Sequence, residues 1–207
     1  NPLTTVLGFL QLMKSGTFSP EKMNRFLEIS MEEIRRTEQI LSEYLSISKP
    51  AASLQQRLEL ISQMQAVVEV MTSYANMNNV ALHVRCPQTP IFISGSTAEL
   101  KQLLVNFIKN AIEASKDVTK GTVEISIREE PPHVVIQIED NGIGMTEEQL
   151  NRLGSIYYST KMNGTGLGLT FSYQAIRAMN GSVSVSSEPL SGTTFLIRLP
   201  IAEGVKG

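Results

Sequence analysis

The sequence predicts an all-α helical hairpin followed by an α/β sandwich, a mixed sheet with helices over one face. Three observations carry that expectation. Apolar residues recur at four- and three-residue steps over residues 1–48. A proline-bearing break stands at Lys49-Pro50-Ala51-Ala52-Ser53. Beyond it, apolar helical faces interleave with short alternating segments. The break marks the boundary, because the residue before a proline is disfavoured in the helical region. The hairpin is therefore placed at 1–49, a linker at 50–57 and the second domain at 58–203.

Within the hairpin, Pro2 suits a first helical turn, where its missing amide proton costs nothing. Val6, Leu7, Leu10 and Met13 follow at helical spacing, and Gly16 lies in a break. Ser19-Pro20-Glu21 reads as a cap, a first-turn proline and a first-turn acid, opening a helix over 20–47. Met23, Leu27, Ser30, Ile34, Thr37, Leu41 and Tyr44 form the seam pattern of a helical bundle, with Glu32-Glu33, Arg35-Arg36 and Glu38-Gln39 between them. Such a helix spans about 42 Å. Two helices enclose little core alone, so a dimeric four-helix bundle is the economical arrangement; the alternative is a hairpin packed on its own C-terminal domain.

In the second domain, Ile61, Met64, Val67, Val68 and Met71 predict a helix to about residue 78. Short strands follow over 81–85 and 90–94. Leu100, Leu103, Leu104, Phe107, Ile108 and Ile112 then make the apolar face of a helix over 97–115. Val123, Ile125 and Ile127, then Val134, Ile136 and Ile138, alternate with other residues and predict an antiparallel hairpin joined at Pro131-Pro132. A glycine-bearing segment over 142–168 leads to a helix over 169–179. A second alternating pair, 182–186 and 193–199, surrounds Leu190-Ser191-Gly192.

Composition narrows the function classes. Hydrophobic residues are 42% of the chain, enough for a packed core, and 18 basic against 20 acidic residues give a net charge of -2. That balance gives no reason to expect nucleic acid or an anionic membrane as the main partner. Cys86 is the single cysteine, which excludes an internal disulfide and a cysteine-rich metal site; a buried, inert thiol is expected. No run approaches the roughly 20 apolar residues that span a bilayer. The start at Asn1-Pro2 has no signal-peptide pattern and no initiator methionine, as in a fragment of a longer protein.

The chemistry concentrates in three places. Asp140-Asn141-Gly142-Ile143-Gly144-Met145 follows a strand, and Gly142 and Gly144 allow a sharp turn and close approach to a ligand. Gly164-Thr165-Gly166-Leu167-Gly168-Leu169 precedes a helix, whose first amides can hold phosphate oxygens. Neither is a P-loop, and the second does not sit within a βαβ unit as a dinucleotide fingerprint would. Singly, each cluster reads as an ordinary turn; together, with a carboxylate at the first and a helix start at the second, they favour a nucleotide. The third place is the helix over 97–115. There Asn106 and Asn110 share one face beside Lys109. An amide oxygen is a hard ligand for Mg²⁺ and an ammonium neutralises phosphate, while the bland alternative is a solvated helix face. Glu113 is placed in the ion's outer shell. Residues 145–163, with a short helix over 147–153 and Tyr157-Tyr158-Ser159-Thr160-Lys161, have the length of a lid. His83 and His133, the only histidines, read as structural or solvent-facing.

With these motifs in this order, residues 54–200 resemble the ATP-binding catalytic domain of sensor histidine kinases, within the fold shared with Hsp90, type II topoisomerases and MutL. The resemblance implies ATP with Mg²⁺: Asn110 as metal ligand, Asn106 and Lys109 near the phosphates, and Asp140 accepting from the adenine amino group. It also implies contacts from Gly142, Gly144 and the amides of Gly164, Thr165, Gly166, Leu167, Gly168 and Leu169, with Tyr158, Thr160 and Lys161 in the lid's box. In Gly192-Thr193-Thr194-Phe195, Thr194 is implied as a water-linked adenine contact. Residues 1–48 resemble the dimerisation and histidine-phosphotransfer hairpin. Asn1-Pro2-Leu3-Thr4-Thr5-Val6-Leu7-Gly8-Phe9-Leu10-Gln11-Leu12 is similar to the sporulation-type kinases of bacilli. The phosphoacceptor histidine and its neighbouring acid would stand just upstream of Asn1, leaving Asn1 one turn beyond to orient a water or the acyl phosphate. Further implications are a homodimer through the hairpin, a response-regulator receiver domain as partner, inhibitory proteins docking on the bundle, and a place as the cytoplasmic portion of a membrane-bound sensor kinase. Two other readings stay open on the residues: a kinase of protein serine, and a docking module with a vestigial site.

Overall fold

The computed structural model describes residues 2–16, 18–48, 55–153 and 167–202; within the first two helices it describes side chains for 4–16, 18–34 and 37. The chain divides into two compact units, Asn1–Lys49 and Pro50–Gly207.

The first unit is a helical hairpin of α1, Pro2–Ser15, and α2, Pro20–Ser48. Ser19 caps α2: its Oγ accepts from Lys22 N at 3.4 Å and its carbonyl from Met23 N at 3.0 Å. Near the turn, Phe26 stacks on Phe9 with centroids 5.1 Å apart and meets Phe18 edge-on at 5.4 Å. The apolar pattern read as one seam separates into two faces. Ser30 is buried and Met23 and Thr37 are half-buried, whereas Leu27 and Ile34 are each 44% exposed. Leu7, Leu10 and Met31 are exposed as well. Leu41 and Tyr44 lie outside the described side chains. The hydroxyl of Ser30 has no hydrogen-bond partner among the described residues.

The second unit runs β1 (Gln56–Glu59), α3 (Leu60–Met77), β2 (Ala81–Arg85), β3 (Phe92–Gly95), α4 (Thr97–Ser115), β4 (Thr122–Glu130), β5 (His133–Asp140), α5 (Glu147–Asn151), α6 (Gly168–Ala178), β6 (Ser182–Glu188) and β7 (Gly192–Pro200). Five strands form a mixed sheet in the order β2-β4-β5-β7-β6, with β2 parallel to β4 and the other pairs antiparallel. The apolar residues of β4, β5 and β7 alternate as predicted. Val123, Ile125 and Ile127 are buried on β4, Val134, Ile136 and Ile138 on β5, and Phe195, Ile197 and Leu199 on β7. Helix α4 packs against them, and α6 against α4 and β6. The opposite face is polar, with Arg128 Nε 2.8 Å from Glu130 Oε1 and Arg128 Nη1 donating to Gln137 Oε1 at 3.1 Å. Val135 lies on that face and is still buried; its cross-strand neighbours are Arg128 and Arg198, residues whose long aliphatic stems shield apolar surface.

One element departs from expectation. Strand β1 starts at Gln56, inside the stretch read as linker, and pairs antiparallel with β3, Gln56 opposite Gly95 and Glu59 opposite Phe92. Its four residues carry a single buried apolar side chain, Leu58, so no alternation announces it. The Arg57 guanidinium instead lies 3.9 Å from the centroid of Phe92. Cys86 is half-buried rather than buried, and that burial pushes its thiol up. Among the described residues no helix is long and apolar enough to cross a membrane.

Helix α3 opens directly from β1 because Glu59 caps it with both carboxylate oxygens: Ile61 N donates to Oε1 at 2.9 Å and Ser62 N to Oε2 at 2.7 Å. Burial acts to raise the carboxyl's pKa, but the hydrogen bonds from Ser62 and Ile61 outweigh it and the net shift is downward from 4.5. A depressed carboxylate contributes stability that is complete above its unfolded pKa and lost as pH falls through the folded one. Glu59→Ala should therefore cost about 1 kcal/mol at pH 7. In urea unfolding repeated in acid below 4.5, that deficit should shrink.

Candidate functional site

Helix α4 organises the site. Ser96 caps it, accepting from Glu99 N at 3.5 Å, and Leu100, Leu103, Leu104, Phe107, Ile108 and Ile112 bury one face in the core. Phe107 packs against Phe195 of β7, ring centroids 4.9 Å apart, and against Tyr173 of α6 at 6.4 Å. That anchoring turns a second row, Asn106, Asn110 and Ala114, toward the glycine segments, since residues four apart share a helix face.

At the far end of the row stands the first glycine loop. The loop follows Asp140, the last residue of β5, whose side chain is only 5% exposed and whose Oδ1 accepts from Gly142 N at 2.9 Å. Asn141 is a fixture of the loop: its Oδ1 accepts from Thr122 N at 2.7 Å and its Nδ2 donates to the Lys120 carbonyl at 3.0 Å. Ile143 N donates to the Ala114 carbonyl at 3.1 Å, which ties the loop to the last turn of α4. A Cβ on Gly142 would stand 2.6 Å from that same carbonyl oxygen. Gly144, at φ +62°, lies so near the Glu188 carbonyl oxygen that no side chain fits there. Gly192, at φ +101°, is pressed equally against the carbonyl of Asp140.

Ser187 completes this clamp, and no motif in the sequence singles it out. Its Oγ accepts from Met145 N at 2.8 Å, donates to the Gly192 carbonyl at 2.8 Å and lies 2.9 Å from Thr193 Oγ1. The β6–β7 register, Ser187 opposite Thr193, is the signal that locates it. The β5–β7 register sets the two adjacent threonines apart. Thr193 pairs with Asp140 and is buried on its face, while Thr194 pairs with Glu139 on the polar face. Strand alternation therefore puts Thr193, and not Thr194, beside Asp140.

At the near end of the row, Asn106 meets the start of α6. Its Nδ2 donates to the Gly168 carbonyl at 3.0 Å and to Ser172 Oγ at 3.1 Å, and its Oδ1 accepts from Gln102 Nε2 at 3.1 Å. These bonds fix α6 to α4. Leu167, buried, and Gly168 and Leu169, half-buried, open α6, and Leu167 supplies no side-chain cap to its first turn. Asn110 lies between Asn106 and Ala114 in this row of α4. Lys109 Nζ beside it is 3.9 Å from Glu113 Oε1, and Tyr74 of α3 donates to that same oxygen at 3.0 Å. Glu113, expected as an outer-shell group for a metal, is thus held by Tyr74 and faces Lys109. Burial and the adjacent Glu113 push the Tyr74 phenol up to about 12. His83 is exposed on edge strand β2, and His133, the first residue of β5, is half-buried. Asn1, Tyr158, Thr160, Lys161, Gly164, Thr165 and Gly166 lie outside the described residues.

The profile of the histidine kinase-, DNA gyrase B- and HSP90-like ATPase family matches residues 95–203, and that of the His kinase A phospho-acceptor domain matches residues 1–53. This chain belongs to the histidine kinases. It is the catalytic region of a two-component sensor histidine kinase, with the phosphotransfer domain ahead of it, and is related to the bacillar sporulation kinases. Sporulation kinase E of Bacillus subtilis (strain 168) is 34% identical over 209 residues, and the histidine kinase region covers 28% of that relative's length. Two solved structures share the fold. One is histidine kinase ThkA in complex with response regulator protein TrrA, at TM-score 0.79 and 23% identity, covering 98% of this chain and 58% of that one. The other is full-length ShkA in complex with AMPPNP, at TM-score 0.76 and 21% identity, covering 98% and 44%.

The groups present in this histidine kinase fit an adenine nucleotide with Mg²⁺. Asp140 presents a buried acceptor, α6 begins without a side-chain cap, and Lys109 carries a half-exposed ammonium. Among the described residues no cluster of three or more His, Cys, Asp or Glu exists to cage a metal alone. A single Asn oxygen suits an ion held largely by phosphates and water, as Mg²⁺ usually is.

The glycines separate into two kinds with opposite consequences. Gly144→Ala meets a carbonyl and an unfavourable φ, and should destabilise the second unit by roughly 1–3 kcal/mol. Among the described residues, the atoms nearest to a Cβ on Gly168 belong to the Asn106 side chain, at 3.6 Å, an ordinary contact. Gly168→Ala should accordingly leave stability unchanged or raise it by up to about 1 kcal/mol. Denaturant titration of the two variants checks the contrast.

Proposed function

We propose that the region binds MgATP between α4, the first glycine loop and the start of α6, and directs the γ-phosphate to a histidine ahead of Asn1 in the longer protein. The single observation carrying this reading is the row on α4. Asn106 touches Gly168 at one end, Ala114 touches the Gly142 loop at the other, and Asn110 lies between them.

The roles follow from the chemistry of each group. Asp140 accepts from the adenine amino group, with Thr193 sharing its face. Asn110 is the metal ligand, Lys109 sets positive charge beside the phosphates, and the first amides of α6 donate to their oxygens. Mg²⁺, when bound, offsets the phosphate charge that would otherwise repel an incoming nucleophile. Phosphoryl transfer depends mainly on positioning and electrostatics, which this set of groups supplies without a general base of its own. Residues 145–163 would close the site as a lid, and Asn1 would orient the acyl phosphate or a water.

The hairpin is proposed as a homodimer interface. Leu7, Leu10, Leu27, Met31 and Ile34 leave an apolar face that a second hairpin would bury in a four-helix bundle. The ThkA–TrrA complex supports a receiver domain as the phosphate's next acceptor, in a sporulation-type phosphorelay. Inhibitory proteins docking on the same bundle, and a cytoplasmic position in a membrane-bound sensor, complete the proposal.

A form of the protein extended upstream of Asn1, incubated with γ-labelled ATP and Mg²⁺, should acquire an acid-labile, base-stable label. An acid-stable label on serine would overturn the histidine assignment. In the 207-residue chain, Asn110→Ala should weaken MgATP more than roughly tenfold, about 1.4 kcal/mol, with far-UV dichroism unchanged. Tight MgATP binding by that variant would count against Asn110 as the metal ligand.

A further inference from the structure

The contact between Tyr74 and Glu113 joins a helix with no assigned part in the chemistry to the edge of the nucleotide site. Tyr74 lies on α3, and its hydroxyl donates to Glu113 Oε1 at 3.0 Å. Glu113 sits one turn beyond Lys109 on α4, and the same Oε1 faces Lys109 Nζ at 3.9 Å. That separation is inside Coulomb range but beyond a hydrogen bond, and the ammonium has no hydrogen bond among the described residues. A Lys four residues before a Glu is the weaker order of such a helical pair, so the two side chains hold each other loosely unless one is fixed from elsewhere. Here one oxygen is already engaged from the neighbouring helix.

We propose that Tyr74 is a positioning residue for the nucleotide's phosphates: its bond to Glu113 Oε1 fixes the carboxylate that faces Lys109 and so sets where the ammonium's charge stands. The ammonium's protons are then left for a polyphosphate, while Glu113 limits where its charge can stand. This rests on the MgATP reading above and adds to it a group on α3 that no glycine or asparagine motif contains. The donor persists through the working pH range, because burial and the Glu113 charge keep the phenol protonated up to about 12. A purely structural role for Tyr74, packing α3 on α4, would make no distinction between ligands with and without phosphate.

That distinction is the test. In the 207-residue chain, Tyr74→Phe keeps the ring and removes only the donor. The dissociation constant for MgATP should rise roughly three- to tenfold, the loss of one hydrogen bond's influence, while that for adenosine stays within about twofold. Glu113→Gln supplies the second arm, since its amide oxygen still accepts from Tyr74 but no longer draws Lys109. In that background Tyr74→Phe should change MgATP affinity less than about twofold. Equal weakening of adenosine and MgATP would overturn the proposal in favour of packing alone, and so would no change in either. If the wild-type chain bound no MgATP, the functional reading would fall and this one with it. If only the Tyr74→Phe comparison failed, the functional reading would stand.

Discussion

Two backbone segments of the second unit lie closer together than any side chain permits, and much of the site's shape follows from that approach. Gly144 abuts the Glu188 carbonyl and Gly192 abuts the Asp140 carbonyl, both with positive φ. Main chain packed on main chain has no rotamers to adjust, so the loop after β5 takes its position from the β6–β7 turn. Hydrogen bonds then fill the remaining gaps. Ser187 bridges Met145 and Gly192, Asn141 mimics a strand partner for Thr122, and Ile143 reaches the end of α4. The buried carboxylate at the root of this loop, Asp140, takes its direction from the same framework through its bond from Gly142 N.

The polar face of α4 spreads this rigidity to the rest of the site. Its apolar face is closed by seven fully or nearly fully buried side chains in the core, so the helix cannot rotate without exposing them. Asn106 then acts as a bracket, with its amide nitrogen on α6 and its oxygen on Gln102. An asparagine suits this place because it offers donors and an acceptor on a short stem, and both are used. One turn later, Asn110 inherits a fixed position from brackets on either side of it. The ends of the row are committed to structure, and that commitment sets the place from which the middle residue projects.

Much of the second unit is legible in the sequence because burial and alternation coincide in it. Val134, Ile136 and Ile138 point into the core from β5, and Leu100 to Ile112 recur on one face of α4, so periodicity alone locates both. Strand β1 is illegible for the opposite reason: Leu58 is its sole buried apolar residue, and its pairing with β3 is held by main chain and by Arg57 over Phe92. At the candidate site, spacing singles out Gly142, Gly144, Gly168 and Asn110. What spacing does not resolve is which of two adjacent threonines faces Asp140, because that depends on the register between β5 and β7. Nor does it reveal that Asn106 is committed to α6, a contact 62 residues away along the chain.

In the hairpin one sequence pattern separates into two stripes of different burial. Four- and three-residue steps along α2 put Met23, Ser30 and Thr37 on one stripe and Leu27 and Ile34 on another. The first stripe, the more buried, contains a serine and a threonine, while the more apolar one is left exposed. A hairpin that folded only for itself would place those residues the other way round, since exposed leucine and isoleucine gain nothing from water and a buried serine without a partner is costly. Placing an apolar stripe outward leaves area on this unit that only another apolar surface would remove from water. The proposed dimeric bundle would supply such a surface with the same helices, and the order of the two stripes is what that proposal accounts for on burial alone.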